Sequence, residues 1–258
     1  MRRHDANGLV WYTFDNEGAN GFRHALVTRL GGVSRGPYAS LNLGHTVGDE
    51  PAAVEENHRR LFAALELRAE QIVSPHQVHG ARVARVGASE RGTIVRGYDA
   101  LITDERGVVL MMRFADCTPV LFYDAAHHAV GLAHAGWRGT AAGVIEATVR
   151  AMETAFGSDP AELWAGLGPA IGVEHYAVGP EVVEAVAATL PAGREVAFRR
   201  EGQWYLDLPG AVRAQLEALG VGRIEPSGFS TAARTDEWYS HRAERGRTGR
   251  FGVLVWLE

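Results

Sequence analysis

ALITDERGVVLMMRFADCTPVLFYDAAHHAVGLAHA, residues 100–135, is the stretch on which the fold turns. It packs four short β-type runs into close succession, at 100–103, 108–112, 120–123 and 129–133, each apolar almost throughout. Apolar runs of this kind suit a sheet covered on at least one face, since the covered side chains must leave water. Beyond Gly139 the period changes. Val144, Thr148, Met152 and Phe156 recur at helical spacing up to Gly157, as a helix lying on that sheet and stopped by a glycine requires.

Outward from this centre, 72–73 and 81–86 read as further short strands and 22–28 as a longer one. Residues 51–67 carry a proline near their start and apolar Val54, Leu61, Phe62 and Leu65 at near-helical spacing, which predicts a helix. Downstream, 163–167 reads as a buried strand, 180–190 and 208–219 as helices, and 251–257 as a closing strand of aromatic and β-branched residues. Between the strand at 22–28 and the first helix lies a loop rich in Gly, Ser, Asn and Pro, residues 29–48. Loops this long are often functional, which marks the segment from Ser40 to His45. No internal repeat, linker or composition shift divides the chain, so the economical reading is one α+β domain over residues 1–258.

A chain of 258 residues that is 46% hydrophobic can bury a sizeable core, although its length alone admits one domain or two. Lys and Arg number 26 against 31 Asp and Glu, and a net charge of -5 gives no sequence-wide footprint for nucleic acid. A small anion could still be met by a local arginine cluster. No apolar run approaches the roughly 20 residues of a bilayer span, and Met1-Arg2-Arg3-His4-Asp5 is not followed by the apolar stretch of a signal peptide. The expectation is a cytoplasmic protein with no membrane partner. A lone cysteine, Cys117, rules out an intramolecular disulfide framework and leaves a nucleophile or a metal ligand to consider.

Three stretches place a reactive or metal-competent side chain at the end of an expected strand: His76-Gln77-Val78-His79-Gly80, Ala115-Asp116-Cys117-Thr118-Pro119 and His134-Ala135-Gly136-Trp137-Arg138-Gly139. Zinc favours imidazole and thiolate, and two His with one Cys would leave an open coordination position, as catalytic sites do. Spacing alone leaves the alternative standing. A lone cysteine is often a core residue, and His76 and His79 could merely satisfy loop carbonyls.

These same residues carry a resemblance that runs through nearly the whole chain. Thr28-Arg29, Gly31-Gly32-Val33-Ser34, Gly36 to Gly44, Val47-Gly48-Asp49, Gln77 to Gly80 and Asp99 to Thr103 are followed by the Asp-Cys and His-Ala-Gly-Trp-Arg-Gly motifs. Gly168-Pro169-Ala170-Ile171-Gly172, Tyr176 with Val178-Gly179, and Gly246 to Arg250 complete the set. In this order they resemble the laccase-domain family, also called multicopper polyphenol oxidase or YfiH-like, understood as zinc-dependent purine nucleoside phosphorylases with additional adenosine deaminase activity. The resemblance implies Zn2+ held by His79, Cys117 and His134, and a four-layer α/β/β/α sandwich. It implies as substrates adenosine, inosine, guanosine or methylthioadenosine, with inorganic phosphate as the attacking group. The chain departs from the family pattern at Glu174 and His175, at Ala177, and at Ser240-His241-Arg242-Ala243. Those departures bear on substrate preference, not on the metal ligands.

Phosphorolysis needs a positioned anion and a stabilised leaving group. Arginine forks suit phosphate, which nominates Arg138, Arg242 and Arg250, with plain ion pairing as their alternative role. Asp116 could donate a proton to the departing base or cap a turn. Asn42 and His45 could hydrogen-bond the nucleoside or hold their own loop together. Rival functions are a copper polyphenol oxidase, a metal-free cysteine hydrolase using Cys117 and His134, and a peptidoglycan-editing factor. A copper oxidase would need many closely spaced histidines, whereas the chain has 11 in all and no His-x-His motif. The sequence is silent on oligomeric state, with a monomer or weak dimer as the working expectation.

Overall fold

A computed structural model describes residues 1–16 and 19–258. Among the described residues the strands form three sheets. The larger one runs, in spatial order, Arg2–Ala6, Leu9–Thr13, Phe22–Val27, Phe251–Leu257, Val109–Phe114, Ile72–His76 and Thr93–Arg96. A second runs Arg223–Pro226, Trp164–Leu167, Thr118–Asp124, Ala129–Ala135, Ala100–Thr103 and Val83–Arg85. The third is small and joins Ala177–Val178, Gln203–Leu206 and Ala197–Arg200.

The alternation of side chains along the central strands explains the layers. Leu110, Met112 and Phe114 of the first sheet meet Leu121, Tyr123, Val130 and Leu132 of the second in one inter-sheet core. Their sequence neighbours point the other way: Val109 and Met111 pack with Leu61 of the Pro51–Ala64 helix. Val120 and Phe122 pack with Ile145, Val149 and Met152 of the Val144–Phe156 helix and with Val212 and Leu216 of the Leu208–Ala218 helix. Two sheets back to back, each with a helix on its outer face, make an α/β/β/α sandwich of the mixed α+β class. Strands sandwiched in this way have no solvated face, which is why their sequences are apolar without alternation. Burying each such Leu, Val or Phe stabilises the fold by about 1.5–3 kcal/mol.

The structure adds what the apolar pattern does not announce. The N-terminal hairpin Arg2–Ala6/Leu9–Thr13 turns at Asn7-Gly8, where φ is 54° and 80°, the Asn-Gly signature of a tight hairpin. The short hairpin at 197–206 turns likewise at Glu201-Gly202, φ 49° and 82°. The expected helices end earlier than their patterns suggested, at Ala64, Ala187 and Ala218, and the strand expected at 81–86 is confined to Val83–Arg85. Among the described residues no helix is long and apolar enough to cross a membrane.

Candidate metal centre and its cleft

Cys117 sits where the chain leaves one sheet for the other. The strand Val109–Phe114 ends, Ala115 and Asp116 turn the corner with Asp116 at φ 89°, and Thr118–Asp124 begins the second sheet. There the register of the antiparallel pair sets His134 opposite Pro119 and Ala135 opposite Thr118, so the imidazole lies diagonally beside the thiol on the same face. His79 arrives from the turn after Ile72–His76, itself at φ 60°. The sulfur and one nitrogen of each ring all fall within 4.8 Å of one another, and the two rings meet edge to face with centroids 4.8 Å apart. Gly136 makes the gathering feasible: a Cβ there would lie 2.9 Å from the Cys117 sulfur and 3.3 Å from the His79 ring.

Asp99, fully buried, organises this corner. One carboxylate oxygen accepts the backbone N–H of His79 (2.9 Å) and faces His134 Nδ1 at 2.9 Å; the other accepts from Val78 (3.1 Å) and Gly80 (2.8 Å). Burial works against its charge, but His134 and these amides hold the carboxyl below its usual range. A carboxylate can only accept, so Nδ1 of His134 carries a proton and Nε2 is the ring atom turned toward the cluster. Burial likewise opposes ionisation of the Cys117 thiol, yet His134 and then His79 draw it down to about 6. For His134 itself, burial is outweighed by the thiolate and by Asp99, which raise it to about 9.

The cluster opens into a cleft of about 650 Å³ whose walls include His45, His76, Arg113, Trp137, Arg138, Tyr176, His241, Arg242 and Arg250. Each residue nominated from the sequence can be located against it. Arg138 is exposed and stacks on Trp137 at 4.5 Å. Arg242 lies over Tyr176 at 5.1 Å and donates to the Ala177 carbonyl. Arg250 donates to the carbonyls of Thr248 (3.0 Å) and Gly249 (2.8 Å). His45 is exposed at the mouth and stacks on His58 with centroids 4.8 Å apart.

Two nominees have their polar atoms engaged by the protein. Asp116 accepts from Thr231 Oγ1 and from the Arg242 backbone N–H, both at 2.7 Å, and so pins the C-terminal segment to the Cys117 corner. Asn42, fully buried, accepts from the N–H groups of Gly44 (2.9 Å) and Arg250 (2.8 Å) and donates to Asp49 at 2.9 Å. It clips the long loop shut rather than facing the cleft. Sequence reasoning gave no role to Asp99 or Arg113. The motif at Asp99 was visible, but its four donors all lie 19 or more residues away from it in the chain; Arg113 was hidden inside an apolar run.

Residues 23–258 match the family described as multi-copper polyphenol oxidoreductase laccase. The chain is 43% identical over 241 residues to the purine nucleoside phosphorylase YlmD of Geobacillus stearothermophilus, covering 89% of this chain and 88% of that protein. It is 42% identical over 251 residues to the purine nucleoside phosphorylase PA4543 of Pseudomonas aeruginosa, covering 96% and 99%. The crystal structure of the Geobacillus YlmD superposes with a TM-score of 0.93 at 39% identity, over 99% of this chain and 98% of that one.

Proposed function

The chain belongs to the multi-copper polyphenol oxidoreductase laccase family, and from that premise we propose that it is a zinc-dependent purine nucleoside phosphorylase acting on adenosine, inosine, guanosine or methylthioadenosine. The observation that carries the reading is the convergence of one sulfur and two imidazole nitrogens at the floor of a cleft lined by arginines. Thiolate and neutral imidazole are the donors a borderline-soft divalent ion prefers, and three protein ligands leave a place for substrate. His79, Cys117 and His134 would hold the ion. When bound, it supplies a Lewis acid with an open position. Relatives of closely similar length and sequence bear the name purine nucleoside phosphorylase.

In the reaction an oxygen of hydrogen phosphate forms a bond to C1' of the ribose, and the bond from C1' to the purine nitrogen breaks. The purine keeps that electron pair and gains the proton that hydrogen phosphate gives up, so base and ribose 1-phosphate are the products. The arginines bind and orient the anion, the task for which guanidinium forks are suited. Asp99 keeps the His134 proton on Nδ1. Asp116, with both oxygens occupied, holds the C-terminal wall of the cleft in place.

The test is direct. Purified protein of known metal content is incubated with adenosine and phosphate. Adenine and ribose 1-phosphate, formed without oxygen uptake and lost on chelation, are expected. Inosine without adenine would replace the reading by a deaminase, and turnover that survives complete metal removal would favour a thiol hydrolase built on Cys117. Oxygen-dependent oxidation of a phenol with no nucleoside cleavage would restore the copper chemistry of the family's description.

A further inference from the structure

Four guanidinium groups line the metal cleft, those of Arg113, Arg138, Arg242 and Arg250. Among the described residues none of the four is ion-paired to a carboxylate. Elsewhere arginines do find such partners, as Arg29 does with Glu244, Arg60 with Glu56 and Arg85 with Asp104. The one carboxylate on the cleft wall, Asp116, is turned to Thr231 Oγ1 and the Arg242 backbone N–H and makes no ion pair with a guanidinium. Against these four guanidinium groups the wall sets only the Asp116 carboxylate and the Cys117 sulfur, so the cleft keeps an excess of positive charge.

Two of this set, Arg113 and Arg250, are half-buried, and among the described residues Arg113 is the one of the two whose Nη groups both lack a protein partner. It lies on a central strand, half-buried, and its Nε donates to the Leu43 carbonyl at 2.6 Å. Its peptide is gripped from both sides by the Gln77 amide, which accepts from Arg113 N at 3.0 Å and donates to Arg113 O at 2.9 Å. Gln77 is two residues before His79, so the guanidinium and the metal ligand share one brace. The neighbours on the other side carry no negative charge to meet it. His58 also approaches the Leu43 carbonyl, at 3.1 Å, which it can do only as a donor through Nε2, and His45 stacks on His58. Burial and the adjacent guanidinium push His58 down to about 3, so it stays neutral. Burial also lowers Arg113, to about 10, and leaves it charged at neutral pH. Neither Nη of Arg113 has a protein partner among the described residues. A half-buried guanidinium with a fixed Nε and two free Nη groups is a fork awaiting an anion.

We propose that Arg113 is the anion anchor of the cleft, its two Nη groups taking the oxygens of inorganic phosphate on the His45 side of the metal ligands. The assignment rests on the phosphorylase reading for the identity of the anion, but not for its charge. Exposed Arg138 and Arg242 then form the outer rim, Arg250 stands half-buried with one Nη held by the Thr248 and Gly249 carbonyls, and Arg113 is fixed through Nε with its fork open to the anion.

The experiment compares wild type with Arg113→Met and Arg113→Lys, all metal-loaded, with Arg85→Met as a charge control outside the cleft. Loss of a charge-assisted pair predicts a rise of about 10- to 100-fold in KM for phosphate in Arg113→Met, with KM for nucleoside changed less than about threefold. Arg113→Lys, which keeps the charge but not the fork, should fall between, and Arg85→Met should match wild type. Calorimetric titration with inorganic phosphate alone should show the same ranking. Wild-type phosphate dependence in both Arg113 variants would overturn the proposal, as would equal rises in both Michaelis constants. Should Arg113→Met fail to fold, Arg113→Lys carries the test. If wild type binds phosphate in an Arg113-dependent way yet cleaves no nucleoside, the phosphorylase reading fails and the anchor survives. If it cleaves nucleoside while its phosphate dependence ignores Arg113, the anchor fails alone.

Discussion

The His79-Cys117-His134 corner and the arginine wall lie side by side in one cleft, yet they are built on opposite plans. At the corner, Asp99 is saturated: three backbone amides and one imidazole converge on its two oxygens. Along the wall, guanidinium groups stand without a carboxylate, and Arg113 holds its Nε down while both Nη groups stay free. Saturated groups cannot respond to a ligand without losing what they already have, so they fix geometry. Unsatisfied groups gain on binding. The contrast separates groups that hold the site's shape from groups open to a ligand, and for Asn42 and Asp116, where the sequence leaves a reactive and a structural role both open, the hydrogen bonds favour the structural one.

The sharpest way to break this division is at the thiol. Cys117→Ala should remove metal and nucleoside cleavage together, read by elemental analysis and by adenine formation; a variant that kept either would dissolve the corner as described. Next comes Asp99→Asn, which puts an NH2 donor among four donors. Metal affinity should drop about 10- to 100-fold, as loss of a carboxylate behind a ligating histidine typically does, measured by chelator competition. An unchanged affinity would mean that saturation at Asp99 has no bearing on the ion.

Acid sharpens the comparison further. In metal-free protein the thiol is held down at about 6 and His134 is raised to about 9, so an imidazolium–thiolate pair exists between those limits. A lowered thiol contributes stability above its ordinary value, and that contribution is lost as pH falls through about 6; the raised imidazole's contribution is lost as pH rises through about 9. Alkylation of Cys117 in the stripped enzyme should therefore rise with a midpoint near 6, whereas a midpoint in the ordinary thiol range, about 8.5, would deny the pairing. The smallest effect is expected for Asp116→Asn. If that carboxylate is a clasp, stability drops by about 1–2 kcal/mol for one compromised buried hydrogen bond, seen in thermal unfolding, while kcat changes less than about tenfold. A collapse of kcat with normal stability would return Asp116 to proton transfer.

Much of this was legible before any fold was known. The apolar runs between 100 and 135 announced covered strands, and His79, Cys117 and His134 stood out as strand-end donors. Asp99 was not legible, because a residue that works by accepting from sequence-distant donors leaves no local pattern. Arg113 was masked by Val109 to Met112, where periodicity reports burial and says nothing of a charge at the strand's end. The hairpins at Asn7-Gly8 and Glu201-Gly202 were written in turn chemistry, a signal that apolar periodicity does not weigh.

The placement of Cys117 at the passage from one sheet to the other has a mechanical consequence. His79 hangs from the first sheet and His134 belongs to the second, so an ion gripped by all three would rivet the two sheets together at the cleft end of the sandwich. Its occupancy would then add to the work of prying the layers apart, by an amount that grows with the logarithm of free metal over its dissociation constant. With such an ion in place, parting the sheets by heat or denaturant would break its ligand set, so metal content would report on whether the sandwich is whole.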